Sequence, residues 1–425
     1  MSFNQWQSLK VGDVADVLNG YAFKSKDFTD EGIPVIKIKN IVPPSIELSD
    51  VQYVSEELFN EKERFALKYN DILISMTGSN VNQIASAVGK VGRVRLKNKK
   101  LLLNQRVGKL YVTDSDKCNE DFLYYYLIQD EVRYNLALSA SGSANQANIN
   151  PNQIKNISIN LPSIDEQKAI AKVLSDLDEK IEINNKINKK LEEMAQAIFK
   201  QWFVDFEFPN EDGKPYKSSG GEMVESELGM IPKGWDSKSL LDIADYLNGL
   251  AMQKFRPGDD EKGIPVLKIK ELRQGKTDEN SDLCSLNIDP KYIIHDGDVI
   301  FSWSGSLLVD FWCSGKCGLN QHLFKVTSSK FEKWFYYLWT KYHLDKFIRI
   351  AKDKATTMGH IKRADLSNSI VLVPNEVIMN KANLILNPII EKIIQARIEE
   401  RKLSQLRDTL LPKLMSGEIR VALEN

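Results

Sequence analysis

The chain has 425 residues, with 57 Lys and Arg against 58 Asp and Glu, a formal net charge of −1 and 42% hydrophobic residues. At roughly 100–200 residues per domain this length predicts two or three domains, and the balance of apolar and charged residues excludes a fibrous, low-complexity or largely disordered protein. No apolar run approaches the roughly 20 residues that span a bilayer, and the opening MSFNQWQSLKVGDVADV has no basic-then-apolar leader, so a cytoplasmic protein is expected.

From the N-terminus, the first predicted module covers residues 1–162. Short β-branched runs at 35–39, 71–75 and 157–161, bounded by Gly, Pro or Asn, predict strands. Residues 121–138, with aromatics at helical spacing, predict a helix whose aromatic run FLYYY (122–126) serves the core rather than a base-stacking platform. A helical region follows over 163–208, where Ile170, Leu174, Leu177, Ile181, then Ile187, Leu191, Met194 and Ile198 recur at spacings of four and three, with a slip of phase around Asn184, Asn185 and Asn188. Residues 209–234, rich in Gly, Pro, Ser and acids, predict a linker.

The second predicted module, 235–374, repeats the first in order. Trp6, DVAD (13–16) and LNG (18–20) recur as Trp235, DIAD (242–245) and LNG (247–249). GIPVIKIK (32–39) returns as GIPVLKIK (263–270), NDILISMTGS (70–79) as GDVIFSWSGS (297–306), LNQR (103–106) as LNQH (319–322), and FLYYY as WFYYL (334–338), within a helix predicted over 331–350. IKNISINLP (154–162) is answered by LSNSIVLVP (366–374). A distal helical region and tail, 375–425, carries a second stripe through Ala382, Leu386, Ile389, Ile393, Ala396, Leu403, Leu406 and Leu410, with Pro388 expected to kink or interrupt it. The fold class expected is α/β (α+β): two duplicated mixed modules and two long coiled-coil-like helices that pack antiparallel, because each alone would expose an apolar seam.

Catalytic equipment is missing from the sequence. There is no G-x-x-x-x-G-K-[ST] loop, no glycine-rich dinucleotide fingerprint and no H-E-x-x-H. Asp260-Glu261-Lys262 could mimic the end of a nuclease motif, but its counterpart Asp30-Glu31-Gly32 has no lysine. Of the four cysteines, Cys313 and Cys317 with His322 lack a second ligand pair, so no metal is assigned.

Local charge is more informative. Between Asp71 and Asp114 there is no acid, while Lys90, Arg93, Arg95, Lys97, Lys99, Lys100, Arg106 and Lys109 accumulate, as a phosphate-contacting face would require. Amide and hydroxyl side chains lie among and beyond them: Thr77, Ser79, Asn80, Asn82, Gln105, Ser143, Asn145 and Gln146. Such groups can bond base edges, as Arg can bond guanine and Asn or Gln adenine. The second module offers Trp303, Ser304, Ser306, Gln321, His322, Lys354, Thr356, Thr357, His360, Lys362 and Arg363. These are the candidate DNA contacts. Phe199, Trp202 and Phe203, at the end of the central helix, are the candidate anchors for partner proteins.

Three segments carry a resemblance over the whole chain: LPSIDEQKAIA (161–171), ESELGMIPKGW (225–235) and LRDTLLPKLMSGEIRV (406–421). In this order, and with this duplication, the chain resembles the specificity subunits of type I restriction-modification systems. The resemblance implies a non-catalytic bacterial or archaeal protein whose two target-recognition domains each read half of a split site in double-stranded DNA. It implies helices that set the spacer and dock two methyltransferase subunits, and a complex that recruits restriction/translocase subunits. No cofactor is then expected in this chain, S-adenosylmethionine, ATP and magnesium being used by the partners. One departure is that the distal region opens VPNEV (373–377) rather than with Glu-Gln. Two other readings stay open at this point: the recognition portion of a fused methyltransferase–nuclease, and a duplicated protein-binding scaffold without DNA affinity.

Overall fold

A computed structural model describes residues 6–79, 88–143, 146–227, 229–353 and 359–423. The chain divides into two compact units, Met1–Glu179 with Gln405–Asn425, and Lys180–Ser404.

In the first unit the strand Ile72–Ser75 is buried throughout. It pairs antiparallel with Val107–Val112 on one side and Val91–Arg93 on the other, and Val107–Val112 in turn carries Ala15–Asn19. A strand covered on both faces reads as an unbroken apolar run, which is why Ile72-Leu73-Ile74 does not alternate. In a second sheet Ile33–Ile36 runs parallel to Leu102–Leu103. Gln7–Lys10 pairs antiparallel with Ser158–Leu161, so the two ends of the module meet.

The second unit repeats this topology. Val299–Ser302 lies between Leu323–Thr327 and Leu308–Phe311, with Asp245–Asn248 beyond Leu323–Thr327. Ile264–Leu267 runs parallel to Cys317–Leu319, and Asp236–Ser239 pairs with Ile370–Val373. The repeated sequence is therefore a repeated mixed α and β fold.

The predicted helix over 121–138 is two, Glu120–Leu127 and Asp130–Leu138, and its counterpart is Lys333–Tyr342 followed by Leu344–Asp353. Their aromatic runs form the core, with Phe122, Tyr125, Trp334 and Phe335 fully buried. The predicted strand over 35–39 stops at Ile36. The Lys37 backbone N–H donates to Asn40 Oδ1 at 3.0 Å and opens a 3-10 turn, while that of Lys268 donates to Glu271 Oε2 at 3.2 Å and opens the helix Ile269–Gln274.

The central helix is Ile164–Phe199, continued by a π turn Lys200–Val204, and the distal helix is Glu376–Met415. Within the first unit they run antiparallel, since Arg407 reaches Asp178 at 2.8 Å and Arg420, past the distal helix, reaches Glu166 at 2.8 Å. Ile170, Ala171 and Leu174 share that core with Leu414 and Met415. Within the second unit Asn184 Nδ2 donates to Glu399 Oε2 at 3.0 Å, and Arg397 reaches Glu192 at 2.5 Å and Asp310 at 2.8 Å. Here the buried face differs from the expected stripe. Asn184, Asn188 and Ala195 are buried, whereas Ile187 and Met194 are 38% and 48% exposed. The hydrogen bond to Glu399 lets Asn184 face inward, so polarity alone misjudged the phase.

Pro388 does not interrupt the distal helix. It removes one hydrogen bond, to the carbonyl of Leu384, a residue 79% exposed, where water can take that bond's place. The distal helix starts without Glu-Gln because Asn375 caps it, its Oδ1 accepting from the Ile378 N–H at 3.0 Å. The stretch expected as a linker is folded: Met223–Ser226 pairs with Gly229–Pro232, and Phe208 stacks between Tyr216 (4.5 Å) and Trp235 (5.3 Å).

Candidate nucleic-acid interface

The repeated LNQ turn is built identically in both modules. Asn104 Oδ1 accepts from the Arg106 N–H at 3.3 Å, and Val107 N–H donates to the Asn104 carbonyl at 2.9 Å. In the second module Asn320 Oδ1 accepts from the His322 N–H at 3.2 Å, and Leu323 N–H donates to the Asn320 carbonyl at 3.0 Å. The asparagine thus ties the turn to itself and turns its successors outward. Gln105 and Arg106 are exposed, and Gln321 and His322 half-exposed. The repeated glycine that precedes the turn in space has a steric reason: a Cβ on Gly20 would lie 2.3 Å from the Asn104 carbonyl, and one on Gly249 2.2 Å from the Asn320 oxygen.

Beside this turn lies a second polar element. The Met76 N–H donates to the Arg106 carbonyl at 2.9 Å, and Thr77–Gly78 pairs with Gln146–Asn148. Thr77 Oγ1 donates to Asn148 Oδ1 at 2.8 Å. The second module has the same arrangement with other side chains. Trp303 N–H bonds the His322 carbonyl at 3.4 Å, Ser304 bridges to His360, and Ile361 N–H meets the Trp303 carbonyl as Ile149 N–H meets that of Met76. Ser304 Oγ lies 3.1 Å from His322 Nδ1, and the Trp303 ring is 6.1 Å from that of His322 and 6.2 Å from that of His360. Trp303 Nε1 donates to Asn248 Oδ1 at 3.0 Å, which fixes the indole. One framework therefore presents Thr, Asn, Gln and Arg in one copy, and Ser, His, Gln and Trp in the other.

Thr77, Gln146, Arg106, Trp303, Ser304, Gln321, His322 and His360 are thus brought together within their own modules; Ser79 is half-buried next to Gly78, and Ser143 pairs with Gln146 along the backbone. Ser306 accepts from Arg273 Nη2 at 3.0 Å, and exposed Lys362 and Arg363 open the short helix after His360, with Arg363 donating to the Tyr246 carbonyl at 3.2 Å. Asn80, Asn82, Asn145, Lys354, Thr356 and Thr357 lie outside the described residues.

Two expectations are corrected. The acid-free stretch is not one basic face, because acids remote in sequence arrive in space. Arg93, 2% exposed, pairs with Asp121 at 2.7 Å and lies over the Tyr124 ring at 4.2 Å, so its guanidinium is part of the core and cannot meet a phosphate. Lys109 pairs with Asp71 at 2.7 Å, and Lys100 with Glu56. Arg95 donates to Asn70 Oδ1 at 2.7 Å, and Lys97 is exposed beside the Tyr69 ring at 5.0 Å. Burial, and secondarily the charge of Arg133, holds the Lys90 ammonium below the usual lysine range.

The second correction concerns Phe199, Trp202 and Phe203, which are 4%, 7% and 1% exposed and therefore not partner anchors. Phe199 packs on Trp339 at 5.0 Å, and Phe203 on Trp334 at 5.3 Å and Trp235 at 5.7 Å. Three aromatics in five residues offered the second module more apolar area than solvent exposure could leave uncovered.

A groove of about 780 Å³, which sequence reasoning missed, adjoins Gln321 and His322, and Gln253, Arg256, Lys268 and Lys270 also line it. The duplicated KIK tripeptide was the available signal, but it was read only as strand. All four cysteines are buried thiols, and Cys313 and Cys317 belong to different apolar clusters. No described helix is long and apolar enough to cross a membrane.

Comparison with known proteins bears on this arrangement. The family model described as the type I restriction modification DNA specificity domain matches twice, over residues 4–193 and 232–403. The chain is 28% identical over 427 residues to the MjaIX type I restriction enzyme specificity subunit of Methanocaldococcus jannaschii, covering 98% of this chain and 94% of that one. It is 24% identical to the HindI specificity subunit of Haemophilus influenzae, over 70% and 77% of the two chains. Its fold matches a crystal structure of the type I restriction-modification S subunit from M. genitalium with a TM-score of 0.57 at 17% identity, covering 97% and 96%. The chain belongs to the type I restriction-modification DNA specificity family, as a non-catalytic specificity subunit with two target-recognition domains.

Proposed function

We propose that each module reads one half of a split double-stranded DNA target through its LNQ turn and the polar strand beside it, for the benefit of catalytic partners. The observation that carries this reading is one backbone arrangement used twice, with a shared glutamine, Gln105 and Gln321, followed by unlike side chains, Arg106 against His322. Arg106 suits guanine and Gln105 and Gln321 suit adenine, so the two half-sites differ. Phosphate contacts come from exposed cations such as Lys97 and Lys362.

The partners are two methyltransferase subunits, with restriction/translocase subunits joining them. The methyltransferase subunits dock on the outward apolar residues of the central helix, Ile183, Ile187 and Met194, which are 42%, 38% and 48% exposed. The helices set the spacer between the half-sites. A four-residue insertion after Lys189, matched by one after Ile398 to keep the helices in step, lengthens the recognised spacer.

The deciding experiment is adenine-methylation mapping by long-read sequencing in cells that carry the methyltransferase partner with and without this chain. A split motif that depends on the chain is expected. No motif, with the complex shown to form, would refute the reading.

A further inference from the structure

We propose that the duplicated lysine pairs, Lys37 with Lys39 and Lys268 with Lys270, clamp DNA phosphates beside each reading turn without reading sequence. The proposal rests on the DNA-reading function above and assigns to these lysines a role that fixes the register of the duplex.

The pairs sit next to the reading turns by direct backbone connection. The Asn104 N–H donates to the Ile36 carbonyl at 3.1 Å, and the Asn320 N–H to the Leu267 carbonyl at 3.2 Å, so each turn is bonded to the residue that precedes the first lysine. In the second module Lys268 and Lys270 line the same groove as Gln321 and His322, together with Arg256. Three basic side chains face one carboxylate there, that of Asp282.

The fold itself does not call for lysine at these positions. The core is supplied by the residues before them, Val35 and Ile36, Val266 and Leu267, each at most 1% exposed. The hydrogen bonds that open the following turn come from the backbone N–H of Lys37 and Lys268, which almost any residue provides. The side-chain partners explain the repetition only in part: Lys39 and Lys270 each meet an aspartate, Asp50 and Asp278, whereas Lys37 meets Gln52 and lies 4.0 Å from the Phe28 ring and Lys268 meets Asp282. The side chains of Lys39, Lys268 and Lys270 are 45%, 41% and 55% exposed, where ion pairs contribute little to stability. Those contacts orient the ammonium groups and leave each with further donors. A cation kept in both copies, beside turns whose side chains differ, matches a ligand common to both half-sites, and in a duplex that ligand is the phosphate backbone.

The test uses the chain assembled with its methyltransferase partner, titrated onto a duplex carrying the mapped target at several salt concentrations. Each lost phosphate contact lowers the slope of log affinity against log salt by about 0.9, so Lys268→Gln with Lys270→Gln lowers it by about 1.8. Between roughly 50 and 200 mM salt the unaltered complex then loses about twelvefold more affinity than the variant. The methylated motif stays the same in the variant, and Lys268→Arg with Lys270→Arg restores the slope. An unchanged slope in the Gln variant, or a motif altered at any base, overturns the clamp while leaving chain-directed methylation intact. A complex with neither duplex affinity nor chain-dependent methylation overturns both the clamp and the function it rests on.

Discussion

Gly249→Ala tests whether the reading turn depends on the close approach seen in both copies. The added Cβ would lie 2.2 Å from the Asn320 oxygen and 2.4 Å from that of Leu319. Carbon needs roughly 3.5 Å from a non-bonded neighbour, so the two backbones must part by about 1 Å. That parting strains the Leu250 N–H to Leu319 carbonyl bond, 2.9 Å, and the Gly249 N–H to Leu323 carbonyl bond, 3.0 Å. Overpacking costs about 1–3 kcal/mol and a weakened hydrogen bond about 1 kcal/mol, for an expected loss near 3 kcal/mol. The assay is urea unfolding followed by tryptophan fluorescence, with Gly258→Ala as control, because nothing lies within 4 Å of a Cβ there. Methylation mapping of the same variants adds a functional readout: Gly249→Ala blurs only the half-site read by the second module, and Gly20→Ala only the other. If Gly249→Ala matches Gly258→Ala to within about 0.5 kcal/mol, the steric account of the repeated glycine is wrong. Equal blurring of both half-sites would remove the assignment of one turn to one half-site.

The two arginines of the basic stretch separate by assay. Arg106→Ala relaxes one base of one half-site, by about 1–3 kcal/mol of discrimination, without lowering stability, whereas Arg93→Ala leaves Asp121 without its partner and lowers the unfolding midpoint; the reverse pattern would exchange their roles. Arg407→Ala takes from Asp178 its cationic partner, leaving it the Tyr125 hydroxyl at 2.7 Å, and costs about 3 kcal/mol, more than half of which Asp178→Ala in the same chain should recover in a double-mutant cycle. Burial pushes the His343 imidazole down to about 4 from 6.5. The unfolded chain therefore binds the extra proton first, so this contribution is complete above pH 6.5 and is lost as pH falls toward 4, by at most about 3 kcal/mol. His343→Gln should flatten that slope in unfolding free energy measured across the window, and a variant with the original slope would exclude His343 as its source.

What was legible in the sequence follows from what repeats. Two copies of GIPV(I/L)KIK and LNQ fixed the duplicated topology, because a strand bonded to its own turn keeps its apolar and glycine positions together. Partners across space were not legible. Arg93 looked like a surface cation because no acid is near it in the chain, yet Asp121 and Tyr124 close over it. Phe199, Trp202 and Phe203 looked like partner anchors because apolar residues not used between the helices need another surface, yet all three are buried in the core of the second unit, Phe199 on Trp339 and Phe203 on Trp334 and Trp235. The inward Asn184 depended on Glu399, 215 residues away.

The segments that carry the family resemblance do structural work. In LPSIDEQKAIA, Gln167 is fully buried; its Oε1 accepts from the Asn119 N–H at 2.9 Å, and its Nε2 donates to the carbonyls of Lys117 at 2.8 Å and Pro162 at 3.0 Å. Its neighbour Glu166 holds Arg420 of the closing LRDTLLPKLMSGEIRV segment, whose guanidinium lies 5.8 Å from the Trp6 ring. In ESELGMIPKGW, the strand pair before Trp235 delivers that ring to Phe203 and Phe208. All three segments seat a helix or close a module, and a change in any of them disturbs packing whatever DNA is bound. The side chains that differ between the copies, Arg106 and His322, Asn148 and His360, sit on turns and strands held by backbone hydrogen bonds common to both copies, with Asn148 and His322 adding one local side-chain bond each, to Thr77 and Ser304. On the proposed reading, a chain built this way changes its target by exchanging a few turn residues, while the segments that hold its helices stay fixed.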